Sequence, residues 1–190
     1  MKLIIASNNK HKISEIKSIL SGKFEKIISL AEANILHETV EDGETFLENS
    51  LKKAREICAI SGAVALADDS GLCVNALGGA PGIYSARYSG EGATADSNNR
   101  LLLKNLEGVE DRSAYFICTV ALVFPDGREI TAEGRVYGKI VDTYRGSHGF
   151  GYDPIFLVDG DSRTLAEMSD DEKNTISHRG QALKNLLKKL

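Results

Sequence analysis

The chain has 190 residues, 42% of them hydrophobic and 26% charged, enough to bury the core of one domain or of one domain with two lobes. Its net charge of −4 argues against a general attraction to nucleic acid or anionic membrane, and no apolar stretch is long enough to span a bilayer. The three cysteines, Cys58, Cys73 and Cys118, lie far apart in apolar runs without metal-ligand spacing, and the opening MKLIIASNNKHK turns polar too soon for a signal peptide, so reduced thiols in a cytoplasmic protein are expected.

Taken in order, the elements read as mixed α/β. Leu3 to Ala6 is a short apolar strand, Ser7-Asn8-Asn9 supplies turn and cap residues, and Ile13, Ile16 and Leu20 then recur at helical spacing up to Gly22. Lys26 to Leu30 is a second strand. Thr45 with Glu48 has the spacing of a capping box, and the helix behind it carries Leu47, Leu51, Ala54 and Cys58 on one face. The apolar strand Ala63 to Ala67 runs into Asp68 and Asp69, after which Ser70 and Gly71 are expected to turn the chain into a glycine-rich loop holding Pro81. Asp96 to Leu106 is helical. Tyr115 to Phe124 and Glu129 to Val136, joined by Pro125-Asp126-Gly127, form a hairpin expected to build a second lobe. Ile176, Leu183, Leu187 and Leu190 share one face of a closing amphipathic helix.

Several clusters fall outside this packing logic. Adjacent acids at the end of a buried strand are costly without partners, and such acids commonly hold a divalent cation or move a proton. Ser7-Asn8-Asn9-Lys10-His11-Lys12 opens the first helix, where backbone N–H groups and lysine charge favour an anion; neither GxxxxGK[ST] nor GxGxxG occurs. Glu41-Asp42-Gly43-Glu44 precedes a helix, where dipole-stabilised caps are the usual explanation; the same acids can also complete a Mg2+ site opened by Asp68 and Asp69, and Lys53 on that helix can reach a phosphate. In Gly149-Phe150-Gly151-Tyr152-Asp153-Pro154, the rings of Phe150 and Tyr152 can flank a base and Asp153 can accept from a ring N–H. Lys173, His178 and Arg179 add donors near the last helix.

SNNKHK, EDGETFLENSLKKA, ADDSGLCVNALGGAPGIYSARYSG, GFGYDPIF and EMSDDEKNTISHRGQAL together resemble the successive signatures of the inosine triphosphate pyrophosphatase family, the non-canonical purine nucleoside triphosphate pyrophosphatases, from Ser7 to about Leu183. The resemblance implies a single domain over 1–190 with an elongated two-lobed α/β fold, a mixed sheet flanked by helices, and an active-site cleft between the lobes. It further implies a homodimer, Mg2+ dependence, and hydrolysis of ITP, dITP or XTP to the monophosphate and pyrophosphate. Neither nucleic acid nor membrane is an expected partner.

Carried over residue by residue, the resemblance makes Asp69 the catalytic acid and Ser70 its neighbour at the substrate. The S/T-x-N-x-x-K phosphate motif falls on Ser7, Asn9 and Lys12, with Asn8, Lys10 and His11 between them, and the helix lysine falls on Lys53. The base loop covers Phe150, Gly151, Tyr152 and Asp153, and the last element Lys173, His178 and Arg179. The second metal acid, beside Asp69, falls on Glu41, with Val40 competing by spacing. On this reading Arg179 donates to O6 and Asp153 accepts from N1–H of hypoxanthine or xanthine, a pattern adenine reverses. A hydrolase of modified pyrimidine triphosphates and a non-catalytic nucleotide-binding module are the rival classes.

Overall fold

The computed structural model describes residues 1–190. Its elements are β1 (Lys2–Ile5), α1 (Lys10–Ile19), β2 (Lys26–Ser29), α2 (Phe46–Ser61), β3 (Val64–Val74), α3 (Ala95–Asn105), β4 (Ser113–Val123), β5 (Glu129–Ile140), β6 (Phe156–Val158), α4 (Asp170–Ile176) and α5 (His178–Leu187). Six strands form one mixed sheet in the order β2-β1-β3-β4-β5-β6. β1 is parallel to β2 and to β3, whereas β5 and β6 run antiparallel. The class is α/β. By contacts the chain divides into one compact unit of Met1–Asp69, Cys118–Gly134 and His178–Leu190, and another of Ser70–Ile117 and Arg135–Ser177.

In the first unit the strands are apolar at nearly every position because helices cover both faces. Alternation along the strands sorts the residues. Leu3, Ile5, Val64, Leu66, Cys118 and Val120 pack with Ile16 of α1, Leu20 at its C-cap, and Ala182, Leu183 and Leu186 of α5. Ile4, Ala65, Ala67 and Ala121 pack on the other face with Ala54, Ile57 and Cys58 of α2. The second unit has its own core, in which Leu72, Val74, Phe116 and Val136 meet Leu102 of α3, Leu106 at its C-cap, and Tyr152, Ile155 and Phe156. All three cysteines are free and buried. No helix is long and apolar enough to cross a membrane.

Five local readings change. Ser70 and Gly71 do not turn the chain; they lie inside β3, which runs on to Val74. The box at the start of α2 is half made: Thr45 Oγ1 accepts the Glu48 N–H at 3.1 Å, but the Glu48 carboxylate takes the N–H of Glu44 instead of that of Thr45. Leu47, expected on the apolar face, is exposed, and the buried face of α2 is Asn49, Ser50, Lys53, Ala54, Ile57 and Cys58. Finally, the closing helix is two helices. Ser177, extended at ψ 155°, ends α4, so Ile176 belongs to a different helix from Leu183, and Leu190 is exposed. The β4–β5 hairpin is divided as well, its Cys118–Gly134 end belonging to the first unit.

Gly134 on β5 is where the first turn of α5 comes closest. A Cβ there would overlap the carbonyl oxygen of His178 and the amide of Ala182. Backbone cannot yield as a flexible side chain does, so Gly134→Ala is expected to cost at least ~1–3 kcal/mol, read as a lowered urea midpoint with unchanged slope. An unchanged midpoint would show that α5 can shift away from β5 freely.

Candidate active site

Asp68 and Asp69 are neighbours in β3, and the pleat sends their side chains to opposite faces. Asp68 follows Val64 and Leu66 toward α1 and α5. It is 1% exposed, and its Oδ2 lies 3.0 Å from Lys12 Nζ and 3.1 Å from both Nε and Nη2 of Arg179. Burial alone would push this carboxyl up, but the adjacent Lys12, Arg179 and Lys53 outweigh it and hold Asp68 well below the usual carboxylate range. Arg179, itself 1% exposed, also donates through Nη1 to Glu15, three residues beyond Lys12 on α1. The thiol of Cys118 sits 3.9 Å from Asp68, and burial raises it far above its ordinary value.

Asp69 follows Ala65 and Ala67 toward α2 and meets a different environment. Its Oδ2 accepts from Asn49 Nδ2 at 3.1 Å, and its Oδ1 lies 3.8 Å from Lys53 Nζ, which bonds Glu41 at 2.8 Å. Burial dominates here and Glu41 adds to it, so the carboxyl is raised despite Lys53, Lys12 and Asn49. Lys53 is pushed down by burial, yet the charges of Asp69, Asp68 and Glu41 raise it overall. Glu41 and Asp69 thus converge on one positive charge. Their oxygen donors suit a hard cation such as Mg2+, which takes one or two carboxylates and completes its shell with water and phosphate oxygens.

At the start of α1, Asn9 is the N-cap: its Oδ1 accepts from the N–H groups of His11 and Lys12 at 3.0 and 3.2 Å, and Ser7 Oγ accepts from Asn9 N–H. Those two first-turn N–H groups, expected to attract phosphate, are taken by the cap. The side chains of Asn8, Lys10 and His11 are exposed and that of Lys12 half-buried. Ser70 follows Asp69 in β3, half-buried. His178 opens α5 as a buried residue. The O6 donor expected of Arg179 would have to come from a buried guanidinium whose Nε, Nη1 and Nη2 already bond Asp68 and Glu15.

In the second unit, Asp153 and Lys173 form a buried pair. Lys173 Nζ donates to Asp153 Oδ2 at 2.8 Å and stands 4.7 Å above the Phe150 ring, while Phe150 N–H donates to the same oxygen at 2.8 Å. Gly149, at φ 74°, is required here because a Cβ would overlap that oxygen. Asn99 Nδ2 fixes the loop by donating to the Gly151 carbonyl at 3.0 Å. Tyr152 does not present its ring for stacking. It is 5% exposed in the core, and its hydroxyl donates to Ser85 O at 2.8 Å. Phe150, half-buried, is the available ring. Sequence reasoning missed Glu15, Asn49, Ser85 and Asn99. The helical positions of Asn49 and Asn99, polar among core-facing residues, were the available signal.

The two acids should separate in stability. The native state favours the charge on Asp68, so Asp68→Asn leaves Lys12 and Arg179 short of a buried counter-ion, at a cost of about 3–5 kcal/mol. The wild type holds that contribution above the ordinary carboxylate range and loses it as the pH falls toward the depressed native value; the variant has no such acid limb. At Asp69 the native state disfavours the charge, so Asp69→Asn should be neutral or stabilising. Urea unfolding of both variants from pH 7 down to about 3 checks this; equal costs would contradict the difference in environment.

A family model, the Ham1 family, matches residues 3–189. Among curated proteins, the dITP/XTP pyrophosphatase of Clostridium perfringens is 51% identical over 193 aligned residues, covering 97% of this chain and 95% of that one. The solved HAM1 protein of Coxiella burnetii superposes with a TM-score of 0.90 at 40% identity and covers both chains fully. The Staphylococcus aureus Ham1 protein does so at 0.87 and 39%, over 97% of this chain and 95% of that one. With a match that runs over nearly every residue and solved relatives of the same fold, this chain belongs to the Ham1 family.

Proposed function

We propose that the chain is a nucleoside triphosphate pyrophosphatase that hydrolyses dITP, XTP and ITP to the monophosphate and pyrophosphate, clearing non-canonical purines from the nucleotide pool of the cytoplasm as a Mg2+-dependent homodimer. The observation that carries this reading is the split between Asp68 and Asp69: on one face of β3 Asp68 is clamped by Lys12 and Arg179, and on the other Asp69 meets Asn49, Lys53 and Glu41, where burial raises its carboxyl. Adjacent acids driven apart in this way commonly divide structural and acid–base roles. The curated relative from Clostridium perfringens bears the name dITP/XTP pyrophosphatase, which supports the substrate class.

The residues supply the steps. Asp69, with its raised basicity, accepts a proton from water; the water oxygen attacks the α-phosphorus, the α–β phosphoanhydride P–O bond breaks, and pyrophosphate leaves with the electron pair. Glu41 and Asp69 would hold Mg2+, which when bound offsets triphosphate charge. Lys12 and Lys53 contribute the remaining positive charge, and the segment Ser7 to Lys12 with Ser70 orients the phosphates. Asp68 holds Lys12 and is itself fixed by Arg179, with His178 setting the start of α5.

Base choice falls to the second unit. Lys173 and Asp153 set a donor beside an acceptor, the complement of the O6 acceptor and N1–H donor of a 6-keto purine, and Phe150 supplies a ring for stacking. Adenine presents the reverse pair and leaves both groups unmatched, a mismatch that discriminates strongly.

A panel of dITP, XTP, ITP, dATP and dCTP, with released pyrophosphate measured with and without Mg2+, tests the reading. Turnover is expected on dITP, XTP and ITP and not on dATP or dCTP, dependent on Mg2+, and lost by ~10²-fold or more in Asp69→Asn. Asp153→Asn should narrow the dITP-to-dATP ratio in kcat/KM by roughly tenfold or more. Equal rates on dCTP, or binding without turnover, would favour the rival classes. A folded Asp153→Asn protein with an unchanged ratio would move base recognition off the Lys173–Asp153 pair.

A further inference from the structure

We infer that Asn49 is a positioning residue that fixes the geometry between Glu41 and Asp69, a role that rests on the proposed pyrophosphatase reading. Asn49 is 1% exposed, and a buried amide must find partners for both its ends. Its Oδ1 accepts the Gly43 N–H at 2.8 Å and its Nδ2 donates to Asp69 Oδ2 at 3.1 Å. An N–H can be met only by an acceptor, so the Gly43 bond dictates that the donor end of the amide faces Asp69.

Glu41 lies two residues before Gly43, with its carboxylate on Lys53 Nζ at 2.8 Å. Lys53 is one turn beyond Asn49 on α2 and points the same way. One helix face therefore touches both acids. Lys53 hydrogen-bonds Glu41 but, at 3.8 Å, reaches Asp69 only as a charge. Asn49 holds the backbone behind Glu41 and the carboxylate of Asp69 with directional bonds. Gly43 is shaped for this arrangement: a Cβ there would stand 2.7 Å from Asn49 Oδ1 and 2.9 Å from Glu48 Cβ. The missing side chain at position 43 is room for the amide of Asn49.

A purely structural role, in which Asn49 only pins the 41–43 segment to α2, makes a different forecast. Asn49→Asp keeps the shape and the acceptor for Gly43 N–H but replaces the donor facing Asp69 with a carboxylate oxygen. Asn49→Ala removes both bonds. If Asn49 positions Asp69, both variants lose kcat on dITP by roughly tenfold or more, with KM at saturating Mg2+ within about threefold of wild type. Mn2+ affinity of the nucleotide-free protein, read by electron paramagnetic resonance of the free ion, falls by a similar factor in Asn49→Ala. Near-normal kcat in Asn49→Asp, or unchanged Mn2+ affinity in Asn49→Ala, overturns the inference.

Should neither variant fold, Gly43→Ala, which crowds the same amide from the other side, must lower both kcat and Mn2+ affinity; unchanged values overturn the inference equally. Asp69→Asn is assayed alongside. If it still releases pyrophosphate, the pyrophosphatase reading of Asp69 has failed; if it is inactive while the Asn49 and Gly43 variants behave as wild type, only the role of Asn49 has.

Discussion

Successive side chains on a β-strand point to opposite faces, and the chemistry of the first unit follows from two aspartates being neighbours in one strand. Parity places Asp68 between α1 and α5 and Asp69 against α2. Had these acids shared a face, each would have raised the other and they would have titrated as a coupled pair. Separated by the backbone, they take different fates. Asp68 is enclosed by Lys12 and Arg179 and serves as a fixed negative charge that ties two helices to the sheet. Asp69 is left with a partial set of compensating charges, the condition under which a carboxylate holds a proton more readily.

The same parity makes α2 the element on which the acids are organised. Its core-facing stripe is interrupted by Asn49, Ser50 and Lys53, costly residues to bury without partners. Ser50 Oγ donates to Leu47 O within the helix, whereas the partners of Asn49 and Lys53 lie on β3 and on the segment that precedes the helix: Asp69 for both, Gly43 for Asn49 and Glu41 for Lys53. A helix buried by apolar residues alone could slide or rotate along the sheet at modest cost. These directional contacts fix its register, and so the distance between Glu41 and Asp69.

Much of this was legible in the sequence because local signals agreed with the tertiary outcome. Asn9 caps α1, as its place before the apolar repeat of Ile13, Ile16 and Leu20 implied; α3 and the first hairpin strand fell close to their expected limits, while the second strand runs four residues past Val136 to Ile140. Asp69, Glu41 and Lys53 come together within one unit, as do Asp153, Lys173 and Phe150 in the other. The failures have physical causes. Ser70-Gly71 looked like a turn because those residues favour turns locally, but pairing across the sheet carried β3 through them. Tyr152 looked like a stacking ring because sequence cannot say which aromatic of a pair faces the core; its hydroxyl has a buried partner in Ser85 O. Asn49 was passed over because an asparagine in a helix reads as a surface residue until its two partners, 6 and 20 residues away, are seen.

Both units place charge where apolar residues would be more stable, and in both the charge is held by more than one bond. A buried ion pair rarely adds net stability over a well-packed apolar pair, so its retention calls for another reason. On the proposed reading, that reason in the second unit is specificity for the base. Asp153 Oδ2 is pinned by Lys173 Nζ and by Phe150 N–H, over a glycine that admits no side chain, so the carboxylate cannot rotate to suit whichever base arrives. A flexible acid would re-pair with the adenine edge and lose discrimination. If Asp153 reads the base as proposed, a rigid carboxylate must leave that edge unmatched, and its immobilisation becomes selectivity between purines that differ in where their donors and acceptors lie.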